Sequence, residues 1–444
     1  MSDGYPLRPL GEVMRLNIQR TPMMPATTYR LAGVLNAGQG LVAKGEFTGA
    51  DTEYTAMNVL RADQVVMRKL TAWEGPITVV PAEFDGFVVS NEFPTFTLGP
   101  ELMPDWMRHV CRSPRLWAEM KSRVRGTVQR RKRLNPEQLL QIQLPIPPRE
   151  VQAGIVEMLD AVDDQIIALA TEANALHAVL RRLRADSMTG SSANEVRADE
   201  AFSITMGRQR SPQRATGPHM TSYLRSANVG YGALDLSDVL EMDFTPSERK
   251  NFGLRHGDVL VSEGSASETA VGMPAMWLDE IPAPVCFQNT LLRYRAVDGV
   301  SVPAFVKHWC LWAYESGQFR EVAGGTNIKH IGSKRAVLMP VRLPDVAVQE
   351  RIATELDVMS EAVAATRTEA ARLRKARAGL LSGLLNRTID IESAELEDDS
   401  GKGHSRARVS EPDDPVVSAG GLGLHGRQVA ATGNDADGAH RPAT

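Results

Sequence analysis

The chain contains little cysteine. Its 444 residues include three, Cys111, Cys286 and Cys310, which lie far apart and show no CxxC spacing. An odd number of widely separated cysteines argues against a disulfide framework or a zinc site. We therefore expect three buried thiols and no bound metal, and the nine histidines show no ligand spacing that would change this expectation.

Long hydrophobic runs are also missing. Nowhere do eighteen apolar residues follow one another, as a transmembrane helix would require. The first residues, MSDGYPLRPLGEV, include an aspartate and no apolar core of a secretory signal. These features predict a cytoplasmic protein without a membrane partner.

Sequence motifs of catalysis are absent as well. The sequence has no GxxxxGK[ST] phosphate loop, no Asn/Asp-Pro-Pro-aromatic methyltransferase motif, no GxSxG nucleophile elbow and no HExxH zinc motif. We therefore expect a chain that is not an enzyme and has no cofactor of its own.

Charge is distributed unevenly along the chain. From Ile389 onward eleven acidic residues face five basic ones, whereas the preceding residues carry a net charge of +2. The tail lacks aromatic residues and is predicted to be disordered. Two basic clusters, RVRGTVQRRKR (Arg123 to Arg133) and GRQRSPQR (Gly207 to Arg214), fit either a phosphate backbone or a solvated surface.

One proline-to-helix entrance occurs twice. LPIPPREVQAGIVEMLDAVD (144–163) and VRLPDVAVQERIATELDVMS (341–360) share six of twenty residues at a shift of 197. The shared pairs are Pro147/Pro344, Val151/Val348, Gln152/Gln349, Ile155/Ile352, Leu159/Leu356 and Asp160/Asp357. Because proline disfavours helix before it and presets φ for a helix start, the first copy predicts a helix that begins near Arg149.

Apolar residues then recur at the alternating spacing of four and three that is typical of a coiled coil. We predict a helix–helix seam of Ile155, Leu159, Val162, Ile166, Leu169, Leu176, Leu180, Ile352, Leu356, Met359, Val363 and Leu373. The first series extends to Leu183, whereas the second loosens at Ala376 and Leu380. The shift falls to 193 at the helix ends, which predicts a first helix about one turn longer than the second.

Fainter repetition lies upstream of each helix. RADQVVM (61–67) aligns with RHGDVLV (255–261), TYRLAGV (28–34) with SYLRSANV (222–229), and VSNEF (89–93) with CFQNT (286–290). The prediction is an α+β protein with a pseudo-two-fold internal repeat, in which two globular α/β domains are separated by two long antiparallel coiled-coil helices.

These motifs resemble the DNA-specificity (S) subunit of type I restriction-modification enzymes, with its proline-rich entrance to a long spacer helix. IQLPIPPREVQAGIVEMLD (142–160) and MPVRLPDVAVQERIATELD (339–357) carry the resemblance, supported by GDVLVSEG (257–264) and GTNIKHIGSK (325–334). Valine stands at Val151 and Val348, where the family usually has glutamate.

The resemblance implies a division of the chain. Residues 1–148 and 191–342 would be target-recognition domains, residues 149–190 and 343–388 the spacer helices, and residues 389–444 a disordered acidic tail. Each domain would read one half of a split target in double-stranded DNA, while the helices set the gap between the halves and dock methyltransferase subunits, two in number. Restriction subunits would join through the complex, and S-adenosylmethionine, ATP and Mg would be bound by these partners.

The loops before the spacer helices are the best candidates for DNA contact. The predicted DNA-binding residues are Lys69, Trp73, Arg125, Thr127, Arg130, Arg131, Arg133, Arg208, Arg210, Ser262, Thr326, Asn327, Lys329 and His330. Two other interpretations stay open at this point. A coiled-coil scaffold would bind protein instead of DNA, and a self-contained methyltransferase would need a cofactor motif that the sequence does not show.

Overall fold

The structure of the protein is a computed structural model that describes residues 5–124, 132–190, 193–265, 269–325 and 329–386. All of these residues belong to one compact unit, Met1–Ile391. The acidic tail predicted from residue 389 onward lies outside the described residues. Within the described ranges, no helix combines the length and the apolar character needed to cross a bilayer.

The first half of the chain consists of short strands and helices that lead into one long helix. Its strands are β1 (Leu7–Pro9), β2 (Met14–Leu16), β3 (Gln19–Pro22), β4 (Thr28–Val34), β5 (Leu41–Thr48), β6 (Ala56–Val59), β7 (Val65–Met67), β8 (Ile77–Val79), β9 (Val88–Val89), β10 (Thr95–Leu98) and β11 (Gln143–Pro145). Its helices are α1 (Leu10–Val13), α2 (Pro104–Cys111), α3 (Pro114–Arg123), α4 (Pro136–Leu140) and the long α5 (Arg149–Thr189).

The second half has the same plan. Its strands are β12 (Asn194–Arg197), β13 (Phe202–Met206), β14 (Met220–Leu224), β15 (Leu240–Asp243), β16 (Val259–Ser262), β17 (Gly264–Ser265), β18 (Pro274–Met276), β19 (Val285–Phe287), β20 (Leu291–Ala296), β21 (Lys329–His330) and β22 (Pro340–Leu343). Its helices are α6 (Ala198–Ala201), α7 (Pro246–Phe252), α8 (Pro303–Glu315), α9 (Gln318–Val322), α10 (Ser333–Ala336) and the long α11 (Val346–Leu385).

The four-stranded sheets of the two halves correspond strand by strand. One four-stranded sheet has the order β2-β10-β7-β8 and the other β13-β20-β16-β18. The pairs β1/β11 and β12/β22 are antiparallel, and the pairs β4/β9 and β14/β19 are parallel. The faint repetition in the sequence therefore falls on equivalent strands, including β7 and β16, β4 and β14, and β9 and β19.

The halves differ in their second sheet. In the first half it has five strands in the order β3-β6-β9-β4-β5, and β5 has a mostly exposed face. In the second half three strands, β15-β14-β19, occupy this place, and helix α7 packs against β19. The shared sheet is thus the constant part of the repeat, whereas the second sheet is individual to each half.

The two long helices pack against each other in antiparallel orientation. One core cluster joins Ile155 and Leu159 at the start of α5 to Leu381 and Leu384 near the end of α11. The other joins Leu180 near the end of α5 to Leu356 and Val363 in the first half of α11. Each long helix therefore starts in the core of its own half and ends in the core of the other.

The twelve predicted seam residues lie along α5 and α11, and their burial can be read from the structure. Six are buried, namely Ile155, Leu159, Ile166, Leu180, Leu356 and Val363. The other six, Val162, Leu169, Leu176, Ile352, Met359 and Leu373, are partly buried. None of the twelve is exposed, as an apolar stripe between two helices requires.

The heptad series ends differently from the sequence expectation. Leu183, which continues the series, is 44% exposed, whereas the neighbouring Arg184 is buried. Past Leu180 the buried face of α5 turns from α11 toward α8, which explains the change of phase. The expected difference of one turn is also wrong, because α11 runs through Gly383 to bury Leu385 and the helices have 41 and 40 residues.

All three cysteines are buried and free, which confirms the expectation of unpaired buried thiols.

The shared glutamine of the repeated entrance forms the same three hydrogen bonds in both halves. The Gln152 amide donates to the carbonyls of Glu101 (2.8 Å) and Pro147 (2.9 Å), and its Oε1 accepts from the Met103 N–H (2.9 Å). Met103 is the residue that precedes α2. Gln152 is fully buried, so these bonds hold the start of α5 to the start of α2.

Gln349 repeats this arrangement at the start of α11. Its amide donates to the carbonyls of Val300 (2.9 Å) and Pro344 (2.8 Å), and it accepts from the Val302 N–H (3.1 Å). We call these two sites the glutamine latches. They give a physical reason for the repetition of the Pro-to-Gln spacing, because the amide must reach back to the carbonyl of that proline.

Replacement of Gln152 by glutamate should destabilise the protein. The carboxylate keeps the shape but has no N–H to donate to two buried carbonyls, so we expect a loss of about 2–4 kcal/mol in the free energy of unfolding. Urea unfolding at neutral pH measures this change. Gln165→Glu, at an exposed position of the same helix, is the matched control. Equal stabilities of the two variants would contradict the latch.

Candidate functional site

The segment before each long helix is anchored to its sheet in the same way. The Leu134 N–H donates to the Lys69 carbonyl (3.0 Å), and the Ile331 N–H donates to the Glu263 carbonyl (2.9 Å). Leu134 and Ile331 are both fully buried. Arg133 and His330, which directly precede them, therefore occupy matching positions beside the ends of β7 and β16.

The GRQRSPQR segment reaches the corresponding edge of the four-stranded sheet in the second half. Strands β13 and β16 both pair antiparallel with β20, so they run parallel to each other and end at one edge. There the Gly207 N–H donates to the Leu291 carbonyl (3.2 Å), and the Glu263 N–H donates to the Thr290 carbonyl (2.9 Å). We call the edge where β13 and β16 end, and its counterpart at the ends of β2 and β7, the loop edges.

At the first loop edge two cations share one carboxylate. Arg133 Nη2 lies 3.1 Å from Glu92 Oε1, and Lys69 Nζ lies 3.9 Å from the same atom. The Arg133 side chain is 54% exposed, whereas Glu92 is more enclosed. The group carries one net positive charge, with an exposed guanidinium that retains free donors for an anion.

At the second loop edge the corresponding carboxylate holds the loop itself. Glu263 is buried, accepts from the Gly332 N–H (3.2 Å) and lies 2.8 Å from His330 Nδ1. A side chain at Gly264 would collide with the His330 ring, so a larger residue there would displace the imidazole from this position. The imidazole of His330 is half exposed, and its contact with the buried Glu263 carboxylate fixes the orientation of the ring.

Arg208 is held by a carboxylate on α7. Its Nε donates to Glu248 Oε1 (2.7 Å), and Arg214 Nη1 donates to Glu248 Oε2 (2.7 Å). Burial acts to raise the pKa of Glu248, but hydrogen bonds from Arg214, the Thr245 N–H and Arg208 outweigh it and lower the pKa to about 2. Two guanidinium groups on one carboxylate leave a net positive charge beside the exposed Arg210.

Six of the predicted DNA-binding residues, Arg125, Thr127, Arg130, Arg131, Thr326 and Asn327, lie outside the described residues. The structure brings Lys69 and Arg133 together at one loop edge, and Arg208, Arg210, Lys329 and His330 at the other. Ser262 ends β16 but is buried, and Trp73 is partly buried in a short turn between β7 and β8. All fourteen stay predictions as DNA contacts.

Sequence reasoning missed the residues that orient these cations. Glu92, Glu263 and Glu248 each hold a basic side chain from a different part of the chain. Arg214 lies within the basic cluster but had no assigned role. The TPSE motif at 245–248 is a sequence signal for a capping box, yet nothing local shows that Glu248 also faces Arg208.

One group among the described residues has the composition of a metal site. Ligand atoms of His109, Asp160 and Asp163 lie within 4.8 Å of one another. However, Arg377 donates to His109 Nδ1 (2.6 Å) and to Asp163 Oδ1 (2.6 Å). A fixed guanidinium therefore occupies the place of a cation, and the group is better described as an ion-pair junction.

Comparison with protein-family models gives no match, and neither does comparison with curated proteins. Solved structures do match. A chain from a study of complex assembly and conformational transition in the type I R-M system has 19% identity and a TM-score of 0.63, and the match covers 87% of this chain and 98% of that one. This chain has the fold of a type I restriction-modification component.

Two further matches are an HsdS subunit and the S subunit of a type I restriction-modification system. The HsdS subunit from Thermoanaerobacter tengcongensis has 19% identity over 88% of this chain and 98% of its own, and the S subunit from M. genitalium has 12% identity over 86% and 96%. Both have a TM-score of 0.46, so they add no detail to the comparison of folds.

Glu248→Gln should lower stability in a pH-dependent way. The folded pKa of Glu248 is about 2, below its ordinary value of 4.5, so its ion pairs contribute fully above pH 4.5 and are lost as the pH falls toward 2. We expect the variant to be about 1–2 kcal/mol less stable at pH 7. Unfolding of both proteins should show this difference narrowing below pH 4.5. A constant difference, or none, would contradict the assignment.

Proposed function

We propose that this chain is the sequence-specific DNA-binding specificity subunit of a type I restriction-modification complex. Residues 1–148 and 191–342 would be its target-recognition domains, and residues 149–190 and 343–388 its spacer helices. The observation that carries the proposal is the duplicated fold, in which two equivalent sheets present basic loop edges and share one antiparallel helix pair.

The helix pair suits the task of a ruler. A helix of 41 residues is about 60 Å long at 1.5 Å per residue, which is comparable to one or two turns of duplex DNA. Because each half has its own second sheet, each would read a different half-site. The proposed target is therefore bipartite, with an unread gap whose length follows from the helices.

The loop edges have the charge and donors needed for DNA. Arg133, Arg208 and Arg210 present guanidinium groups that can neutralise phosphates or pair with guanine edges, while Lys69 and Lys329 can contact phosphates. Carboxylates behind Arg133 and Arg208 hold these side chains in one orientation. Such preorganisation lowers the entropy lost on binding.

The outward faces of the long helices would dock two methyltransferase subunits. Ile167 on α5 is 63% exposed and Val358 on α11 is 60% exposed, although both are apolar. We assign these two exposed side chains to the contact with the partner subunits. We assign no catalysis to this chain, and S-adenosylmethionine, ATP and Mg would be bound by the methyltransferase and restriction subunits.

Lengthening both helices by one heptad should lengthen the gap in the target. Duplication of 166–172 in α5 and 363–369 in α11 keeps the apolar seam in phase and adds about 10 Å to each helix. We expect the gap to grow by roughly one to three base pairs at 3.4 Å each. Sequencing of modified bases in cells that express the partner methyltransferase with either version measures the gap.

The control is duplication in α5 alone, which leaves the helices unmatched and should abolish modification. A target that is modified without this chain, or a gap that stays the same in the doubly lengthened version, would sink the ruler proposal. Modified sites that are continuous instead of bipartite would contradict reading by two halves.

Arg133→Gln should weaken binding to DNA of any sequence. Loss of one phosphate contact should reduce affinity for a mixed-sequence duplex about tenfold at low salt and lower the salt-dependence slope by roughly one. Titration of the purified chain at several salt concentrations measures both. Arg197 ends β12, near the start of β13 and thus at the opposite end of that strand from the loop edge. The control variant Arg197→Gln should leave the slope unchanged. Absence of salt-sensitive DNA binding would favour the alternative of a coiled-coil scaffold that binds protein.

A further inference from the structure

Each half contains a buried histidine that faces both long helices. His109 on α2 and His308 on α8 each stand five residues after the proline that begins their helix, and each is almost fully buried. The two positions are equivalent in the repeat. Neither residue belongs to a loop edge, so DNA contact does not explain them.

In the first half three elements meet at His109. Its Nε2 lies 3.1 Å from Asp160 Oδ1 at the start of α5, and its Nδ1 accepts from Arg377 Nη2 near the end of α11 (2.6 Å). Arg377 also donates to both carboxylate oxygens of Asp163 (2.6 and 2.8 Å). Arg112, the residue directly after α2, donates to the same carboxylate (2.7 Å).

The second half has the same arrangement at His308. Its Nε2 lies 2.8 Å from Asp357 Oδ1 at the start of α11, and its Nδ1 faces Arg184 Nε near the end of α5 at 3.4 Å. Arg184 Nη1 donates to Glu315 Oε1 on α8 (2.5 Å). We call these two groups the first and second junctions.

Both junctions require a neutral imidazole. An arginine donates to each Nδ1, so that nitrogen carries no proton, while each Nε2–H can donate to an aspartate. Burial lowers the pKa of His109 and of His308, which agrees with this protonation state. Each histidine thus bridges the two long helices, because it accepts from an arginine near the end of one and can donate to an aspartate at the start of the other.

Burial of charged side chains costs desolvation free energy, so stability by itself does not explain the buried arginines. Arg184 is 2% exposed and Arg377 is 6% exposed, and apolar side chains in such places would often stabilise a protein as well or better. Ion pairs provide geometric specificity, because their hydrogen bonds form only when the two helices have one particular relative position.

The helix seam by itself does not specify that arrangement fully. A heptad seam repeats every seven residues, so α5 and α11 could slide by about 10 Å and still pair apolar side chains. Such a slide would break both arginine–histidine contacts at once. Buried polar residues are known to fix the register of paired helices in this way.

We propose that Arg184, His308, Arg377 and His109 are positioning residues that fix the register of the long helices and the orientation of each half upon them. This inference rests on the proposed function in one respect: the register would set the distance between the two half-sites. The countercharges differ, since Asp163 lies on α5 and Glu315 on α8, but the Arg–His–Asp chain is common to both junctions.

Distance measurement between the halves tests the inference without DNA. Glu53→Cys and Asp298→Cys place one exposed thiol in each half, and the three native cysteines are buried, so spin labels attach to the new sites. The full chain should give one narrow distance distribution. In Arg184→Met/Arg377→Met the distribution should at least double in width or gain a second maximum.

Two further variants make the result interpretable. Arg182→Met/Arg374→Met removes two exposed arginines from the same helices and should keep the narrow distribution. Arg184→Lys/Arg377→Lys keeps the charge without the planar fork of donors, so it should broaden the distribution even where the methionine pair does not fold. A narrow, unshifted distribution in a folded junction variant would overturn the inference.

DNA binding gives a second readout. In assembled complexes, the junction variants should lose discrimination between targets whose gaps differ by one or more base pairs, from tenfold or more to less than threefold. If the chain does not read a bipartite target, wild type and junction variants will show no discrimination between gaps. The distance distribution between the halves still tests whether the junctions fix the helix register. If the distances broaden and the discrimination stays, the junctions position the halves but do not set the target gap.

Discussion

The structure depends on the antiparallel contact between α5 and α11. Each helix begins in the core of its own half and ends in the core of the other, so neither core is complete without both helices. Full burial of one leucine or isoleucine contributes about 1.5–3 kcal/mol, and six seam residues are buried. The halves are therefore parts of one folding unit, and their spacing cannot vary independently of the helix pair.

The sequence predicts this frame well because its rules are local. Proline placement gives the start of α5 at Arg149, and the heptad spacing selects residues that are buried or partly buried along α5 and α11. It fails where a distant element changes the buried face. Near the end of α5, helix α8 lies beside the chain, so Arg184 is buried and Leu183 is exposed. Nothing within the heptad pattern shows that neighbour.

The candidate site is harder to predict from the sequence than the helix pair. Basic clusters can be recognised from composition, and the equivalent positions of the loops before the two long helices follow from the repeat. Their partners cannot, because Glu248 lies forty residues from Arg208 and the two meet only through the sheet that carries them. The role of Gln152 was similarly hidden: its repetition marks importance, but its three backbone partners become visible only when α2 and α5 pack together.

A fixed frame also explains how two modest binding surfaces could give strong specificity. Among the described residues each loop edge has a few exposed cations, so under the proposed function either half alone would bind its site weakly. Once one half is bound, a rigid connection holds the other at a high effective concentration over a site at the matching distance, and at nearly zero elsewhere. A variable distance between the halves would lower the effective concentration of the second half at the matching site. Under the proposed function, the buried arginines and histidines would matter for discrimination, because they would exclude alternative registers that the apolar seam tolerates.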